Sequence, residues 1–158
     1  MTEITIYTDG AAKGNPGRGG YGAVMLSGSH RKELSAGFRN TTNNRMELLS
    51  VIVALEQIKQ KPSKVNIYSD SKYVVDSVEK KWVFNWEKKG FAKKKNVDLW
   101  QRFLKIYREH EVQFHWVKGH DGNALNERCD QLAVAAAESK NLGIDRGFED
   151  KISNEELF

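Results

Sequence analysis

The sequence predicts a mixed α/β domain in which one mixed β-sheet carries helices on its faces. Three observations predict it. Three neighbouring segments near the N-terminus have strand patterns and short connections, which favours an antiparallel meander. A long apolar segment without Gly or Pro follows them and reads as a central helix. Strand and helix patterns then alternate, so the element order is β-β-β-α-β-α-(α)-α-β-α. The 158 residues suit one domain and can bury most of their apolar groups in a single core. There is no internal repeat, low-complexity segment or interdomain linker.

Residues 3–8 alternate, with Ile4 and Ile6 on one face and Thr5 and Tyr7 on the other, and form the first strand. Asp9 ends it. Six of the 13 glycines lie between Gly10 and Gly22, which reads as a glycine-rich loop. Residues 20–26 form a second strand and residues 32–39 a third. Thr41, Thr42, Asn43 and Asn44 are helix-capping residues. Behind them, RMELLSVIVALEQIKQK is apolar nearly all round and runs up to Pro62, as a well-buried helix does. Glu47 falls in its first turn, where the helix dipole favours a carboxylate. Residues 64–70 alternate again and end in another acid, Asp70. Residues 71–80 form a short helix, and residues 81–95 are basic and aromatic. Leu99, Phe103, Ile106 and Tyr107 give residues 97–110 helical spacing. Residues 111–117 alternate as a strand, residues 119–123 are a loop, and residues 124–139 are an alanine-rich helix. Residues 140–158 are polar, with at least their end expected to be mobile.

Composition excludes several classes. Hydrophobic content of 39% with 29% charged residues is that of a globular chain. No apolar run approaches a membrane span, and the N-terminus lacks a signal-peptide pattern. One cysteine, Cys129, rules out an internal disulfide and a cysteine-rich zinc site. These features favour a cytoplasmic setting. The net charge is +4, and its distribution is uneven. Seven lysines and a single acid, Glu87, lie between Lys80 and Lys95, whereas the chain after Ala137 is acidic. A basic body implies a polyanionic partner such as nucleic acid.

Gly17-Arg18-Gly19-Gly20-Tyr21-Gly22 matches the dinucleotide pattern G-x-G-x-x-G. That pattern needs a helix to open at its last glycines, and strand follows here instead. The pattern also fits a kinase glycine loop, but none of the other kinase elements follows. The acids are more informative. Asp9 and Asp70 each end a strand, Glu47 opens the buried helix between them, and Asp130 lies in the last helix one turn after Asn126. A carboxylate cluster is costly unless a cation neutralises it. Hard cations such as Mg²⁺ do so through oxygen ligands, and a pair of them can clamp a phosphodiester displacement.

At these residues the chain resembles the bacterial ribonuclease H type I family. The matching segments are YTDGAAKGNPGRGGYGAV, TTNNRMELLSVIVALE, YSDSKYVVDSV, WVFNWEKKGF with KNVDLWQR, and FHWVKGHDGNALNERCDQLA. The resemblance implies the ribonuclease H-like fold: a five-stranded mixed sheet, its first three strands antiparallel, with helices on both faces. The element order above agrees with it. It implies a catalytic domain over residues 1–139, with a basic substrate "handle" within about 80–98 and a polar tail over 140–158. It implies an endonuclease that hydrolyses the RNA strand of an RNA–DNA hybrid, leaving 5′-phosphate and 3′-hydroxyl ends. Asp9, Glu47, Asp70 and Asp130 would bind two Mg²⁺ ions, with Mn²⁺ as a substitute. His120 would assist proton transfer and product release.

The same resemblance assigns the substrate surface. Asn15, Asn43 and Asn44 would contact the hybrid across its minor groove, with the glycine turn letting Asn15 approach, and Thr42 would hold DNA phosphate. Lys72 stands where the best-known bacterial members have glutamine. Trp82 and Trp86 would brace the handle, and Lys88, Lys89, Lys93, Lys94 and Lys95 would face phosphates. The implied protein is a monomer with no obligate protein partner and no membrane association. Two rivals are weighed against this reading. An integrase-like or resolvase-like enzyme that cuts DNA is opposed by the handle and the TTNNRMEL segment. An inactive hybrid-binding module predicts a missing acid, and none is missing.

Overall fold

The computed structural model describes residues 1–119 and 122–156. Twelve elements follow one another among the described residues: β1 (Glu3–Lys13), β2 (Gly17–Ser27), β3 (His30–Thr41), α1 (Asn43–Glu56), β4 (Lys64–Ser69), α2 (Lys72–Glu79), α3 (Trp82–Lys88), α4 (Val97–Tyr107), β5 (Glu111–Trp116), α5 (Ala124–Glu138), β6 (Leu142–Gly143) and α6 (Arg146–Glu156). The sheet order is β5-β4-β1-β2-β3-β6. β1, β2 and β3 form the expected antiparallel meander, and β4 and β5 extend it in parallel from β1. The sixth strand, β6, is a two-residue addition parallel to β3, beyond the five strands expected.

The first three strands are longer than their sequence patterns suggest. The expected glycine-rich loop is mostly strand, and the turn between β1 and β2 is confined to Gly14, Asn15 and Pro16. The reason is packing. A Cβ on Gly10 would collide with the backbone of Met46 and Glu47 in α1. A Cβ on Gly22 would collide with the carbonyl of Cys129 in α5. These glycines make flat places on the two faces of the sheet where helices come to rest. Alternation fails to mark them as strand because they have no side chains to alternate.

α1 is buried nearly all round, as expected for a central helix. Met46, Leu48, Val51, Ile52 and Leu55 are fully buried together with Ile6, Val65 and Ile67 of the sheet. Each such side chain contributes about 1.5–3 kcal/mol through burial. Thr42 is its N-cap, with Oγ1 accepting from the Arg45 backbone N–H at 3.2 Å. Trp100 and Phe103 of α4 complete the core and meet edge-on at 5.5 Å.

The polar segment after residue 139, to which the sequence reading assigns no element, carries β6 and α6. Its buried anchor is Asp145, and at the surface Arg39 of β3 adds a bidentate pair to Glu149 of α6. Asp145 accepts from Arg45 Nε at 2.7 Å and Nη2 at 2.9 Å, and from Thr41 Oγ1 at 2.6 Å. Periodicity cannot reveal such an attachment, because it rests on ion pairing and not on an apolar stripe. Among the described residues, no helix is long and apolar enough to cross a membrane.

Candidate active site

The sheet positions the acids by register. β1 and β4 pair in parallel with Thr8 opposite Ser69, so Asp9 and Asp70 follow side by side. Two residues earlier, on the same face, Tyr7, Tyr68 and His115 stack across three strands at 4.8 and 4.7 Å. This aromatic row lies directly behind the acids. Asp70 follows the last residue of β4, as expected. Asp9 does not end its strand: β1 continues to Lys13, and Asp9 sits opposite Gly22 within the ladder. Glu47 is also displaced from its expected place. α1 begins at Asn43, so Glu47 is its fifth residue, and no acid lies in the first turn. Its position comes from Gly10, which lets the α1 backbone close onto β1 beside Asp9.

Asp9, Glu47 and Asp70 each place a carboxylate oxygen within 4.8 Å of the others. Asp9 and Glu47 are both buried, at 5% exposure, and Asp70 is half-buried. Burial is the largest cause pushing the Asp9 carboxyl up to about 7; the charges of Asp70 and Asp130 add to it, while hydrogen bonds from Glu47 and the Gly10 N–H oppose it. The Glu47 carboxyl is held well above the usual carboxylate range, first by burial and then by the negative charge of Asp9. Glu47 Oε2 is buried and has no hydrogen-bond partner among the described residues. Three crowded oxygen donors with an unsatisfied buried acceptor suit a hard divalent cation, which would remove the repulsion and the desolvation cost together.

Asp130 lies on α5, one turn beyond the buried Asn126. It is outside the three-carboxylate group, but its charge acts on Asp9. His120 lies outside the described residues. Its neighbour Gly119 is informative: a side chain there would come within 2.8 Å of Asp70 Oδ2, so the backbone before His120 runs against this carboxylate. His110 and His115 are structural. The Ser63 N–H donates to His110 Nδ1 at 3.0 Å, and His115 Nε2 lies 2.8 Å from Asn66 Oδ1.

The other predicted residues occupy two regions. Asn15 Oδ1 accepts from the Asn43 N–H at 3.1 Å, which ties the β1–β2 turn to the start of α1. A groove of about 660 Å³ runs past Asn15, Thr42, Asn44 and Lys95, with Asn96 and Lys151 also on its walls. The structure therefore joins the α1 N-terminus to the end of the basic stretch. Lys88, Lys89, Lys93 and Lys94 are exposed and do not line this groove. Trp86 meets Trp100 edge-on at 5.9 Å with Lys94 Nζ 5.0 Å above its ring, while Trp82 stays 44% exposed. Lys72 Nζ sits over Trp116 at 4.7 Å.

Sequence reasoning missed Arg45, Asn96 and Asp98. Arg45 donates to Asp98 from Nη1 at 2.9 Å and from Nη2 at 2.7 Å. Asn96 takes the left-handed conformation before α4, and its Nδ2 donates to the Tyr73 hydroxyl at 3.0 Å. The partners are far apart in sequence, so no local signal marks them. Trp116, the last residue of β5, is 46% exposed. Its indole N–H donates to the Asp70 carbonyl, which draws the ring to the site and away from the core.

The comparisons with known proteins bear on the same residues. Residues 1–138 match the family model described as RNase H. A protein named Ribonuclease H from Desulforamulus reducens is 59% identical over 150 residues, covering 92% of this chain and 94% of the relative. Among solved structures, LC9-RNase H1, a type 1 RNase H with the type 2 active-site motif, superposes with a TM-score of 0.80 at 31% identity, covering 97% of this chain and 82% of the other. LC11-RNase H1, solved in complex with an RNA/DNA hybrid, superposes with a TM-score of 0.62 at 29% identity, covering 85% of this chain and 96% of the other. With the family match extending over every acid of the candidate site, the chain belongs to the RNase H family.

Proposed function

We propose that this chain is an endonuclease that hydrolyses the RNA strand of RNA–DNA hybrids and leaves 5′-phosphate and 3′-hydroxyl ends. The observation that carries the reading is the convergence of Asp9, Glu47 and Asp70 within 4.8 Å, with Glu47 Oε2 buried and unpartnered among the described residues. The hybrid complex of LC11-RNase H1 supports the substrate. Asp9, Glu47 and Asp70, with Asp130 as the fourth acid, would hold the metal. When bound, divalent cations, here two Mg²⁺ with Mn²⁺ as a substitute, lower the pKa of an attacking water and neutralise charge on the leaving oxygen.

The chain's own residues do the rest. The buried carboxylates are held by α1 and β1, so the site needs little reorganisation during reaction. His120 assists proton transfer and product release, since an imidazole can both accept and donate a proton. Asn15, Asn43 and Asn44 contact the minor groove, where 2′-hydroxyls distinguish RNA from DNA. Thr42 holds a DNA phosphate. Trp82 and Trp86 brace the handle, and Lys88, Lys89, Lys93, Lys94 and Lys95 meet the polyanion. Residues 1–139 form the catalytic unit, and residues 140–158 are a polar tail.

The reading is tested by incubating the protein with labelled hybrid, duplex RNA and duplex DNA, with and without Mg²⁺. Cleavage confined to the RNA strand of the hybrid, and only with the metal, is expected. Cutting of DNA, or cutting of the hybrid in EDTA, overturns it.

A further inference from the structure

Trp116 closes β5 in the open, and two contacts hold it there. Its indole Nε1–H donates to the backbone carbonyl of Asp70 at 3.2 Å, and Lys72 Nζ lies 4.7 Å from its ring centroid. Lys72 is an awkward cation. It is the first residue of α2, the end where the helix dipole disfavours positive charge. It is also two residues from Asp70, the most accessible acid of the cluster. Even so, no ion pair among the described residues includes Lys72. The indole face holds the ammonium instead. A cation over a ring keeps its full charge, and its remaining N–H donors face outward.

The location gives the pair a ligand. β5 pairs with β4 in the register Ser69 opposite Trp116, and adjoining strands lie about 4.8 Å apart. A polynucleotide strand seated at Asp9 and Asp70 and running towards β5 therefore meets Lys72 and Trp116 next. Only the strand being cut occupies the carboxylate site. The group it presents to a lysine, which has donors and no acceptor, is a phosphate.

We propose that Lys72 and Trp116 form a phosphate clamp for the cleaved strand. Lys72 contacts the phosphate adjoining the scissile one, and Trp116 is the positioning residue that keeps the ammonium away from Asp70 and turned towards substrate. The clamp rests on the hybrid-cleavage reading above.

The test is hybrid binding in EDTA, where no cleavage occurs, across a potassium chloride series. In Lys72→Ala, affinity at low salt falls by roughly 3–10-fold and the log–log salt slope shrinks by about 0.9, the signature of one lost phosphate contact. Lys72→Arg restores the slope. Trp116→Phe keeps a ring beneath the ammonium and retains the wild-type slope. Trp116→Ala weakens binding only while Lys72 is present, so the double variant binds no worse than Lys72→Ala. An unchanged slope in Lys72→Ala, or additive losses in the double variant, overturns the clamp. If Trp116→Ala fails to fold, the Lys72 variants and Trp116→Phe decide the matter. Wild-type binding in the same series separates the two readings: no hybrid binding by the wild type defeats the substrate assignment, whereas wild-type binding matched by Lys72→Ala at every salt concentration defeats only the clamp.

Discussion

Arg45 and Asp145 are joined across 100 residues by two charge-assisted hydrogen bonds, from Nε at 2.7 Å and from Nη2 at 2.9 Å. Both residues are buried, at 3% and 7% exposure. Arg45 follows directly after Asn43 and Asn44, so the bond connects the C-terminal segment to the start of α1 at the groove.

Removing one partner of such a pair leaves a buried charge poorly compensated, which costs about 3–5 kcal/mol. Asp145→Ala would also leave the Thr41 hydroxyl without its acceptor. Urea denaturation should show a loss of about 3 kcal/mol, accompanied by early exchange of the α6 amides. A change under about 0.5 kcal/mol, the ordinary range for surface substitutions, would show that the pair does not anchor the tail.

The acids predict a pH dependence of stability in metal-free protein. Asp9 is raised from 3.8 to about 7, so between these values the native state binds more protons than the unfolded chain. Stability therefore falls as pH rises through that window. Glu47, raised by the same burial and titrating jointly with Asp9, contributes with the same sign. In EDTA the loss between pH about 5 and 8 should be on the order of 1–3 kcal/mol. Asp9→Asn should flatten the profile and raise the urea midpoint at the alkaline end, while abolishing cleavage and leaving hybrid binding largely intact. Mg²⁺ should raise the wild-type midpoint by binding only the native state. A flat wild-type profile, or undiminished cleavage by the variant, contradicts the assignment.

The glycine flats predict a positional contrast. Gly22→Ala drives a methyl group into the Cys129 carbonyl and to within 2.6 Å of Leu132 Cβ. It should cost about 1–3 kcal/mol and lower activity, because α5 carries Asp130. At Gly28, where φ is +58°, a methyl group would meet nothing within 4 Å. Gly28→Ala should cost about 1 kcal/mol through left-handed strain alone, with activity at the wild-type level. Thermal melts paired with initial rates on a labelled hybrid separate the two outcomes, and equal activity losses would refute the packing account.

Charge in the basic stretch over residues 81–95 predicts salt dependence. Replacing Lys93, Lys94 and Lys95 together with alanine should weaken hybrid binding and reduce the log–log salt slope by up to about 2.7. Of the three, Lys95 lines the groove, so Lys95→Ala alone should account for the largest share of the lost affinity. A slope equal to that of the wild type would place the phosphate contacts elsewhere.

Local pattern alone specified much of this protein. Alternation at Ile4, Ile6, Val65 and Ile67, and the continuous apolar face of α1, were legible because burial imposes a period on a strand or helix. The four acids were legible as candidates because polar residues interrupting such patterns need a reason to be there. Tertiary structure decided what local pattern cannot encode. Asp9 lies inside a strand, not at its end, because Gly10 and Gly22 have no side chains and let α1 and α5 close on the sheet. Asp9, Glu47 and Asp70 come together because β1 and β4 pair in parallel register and α1 packs across them. The tail is held by Arg45 and Asp145, and Trp116 turns out to Lys72 instead of into the core. In each case the deciding interaction joins residues distant in the chain, so its energy depends on positions that exist only once the chain has folded.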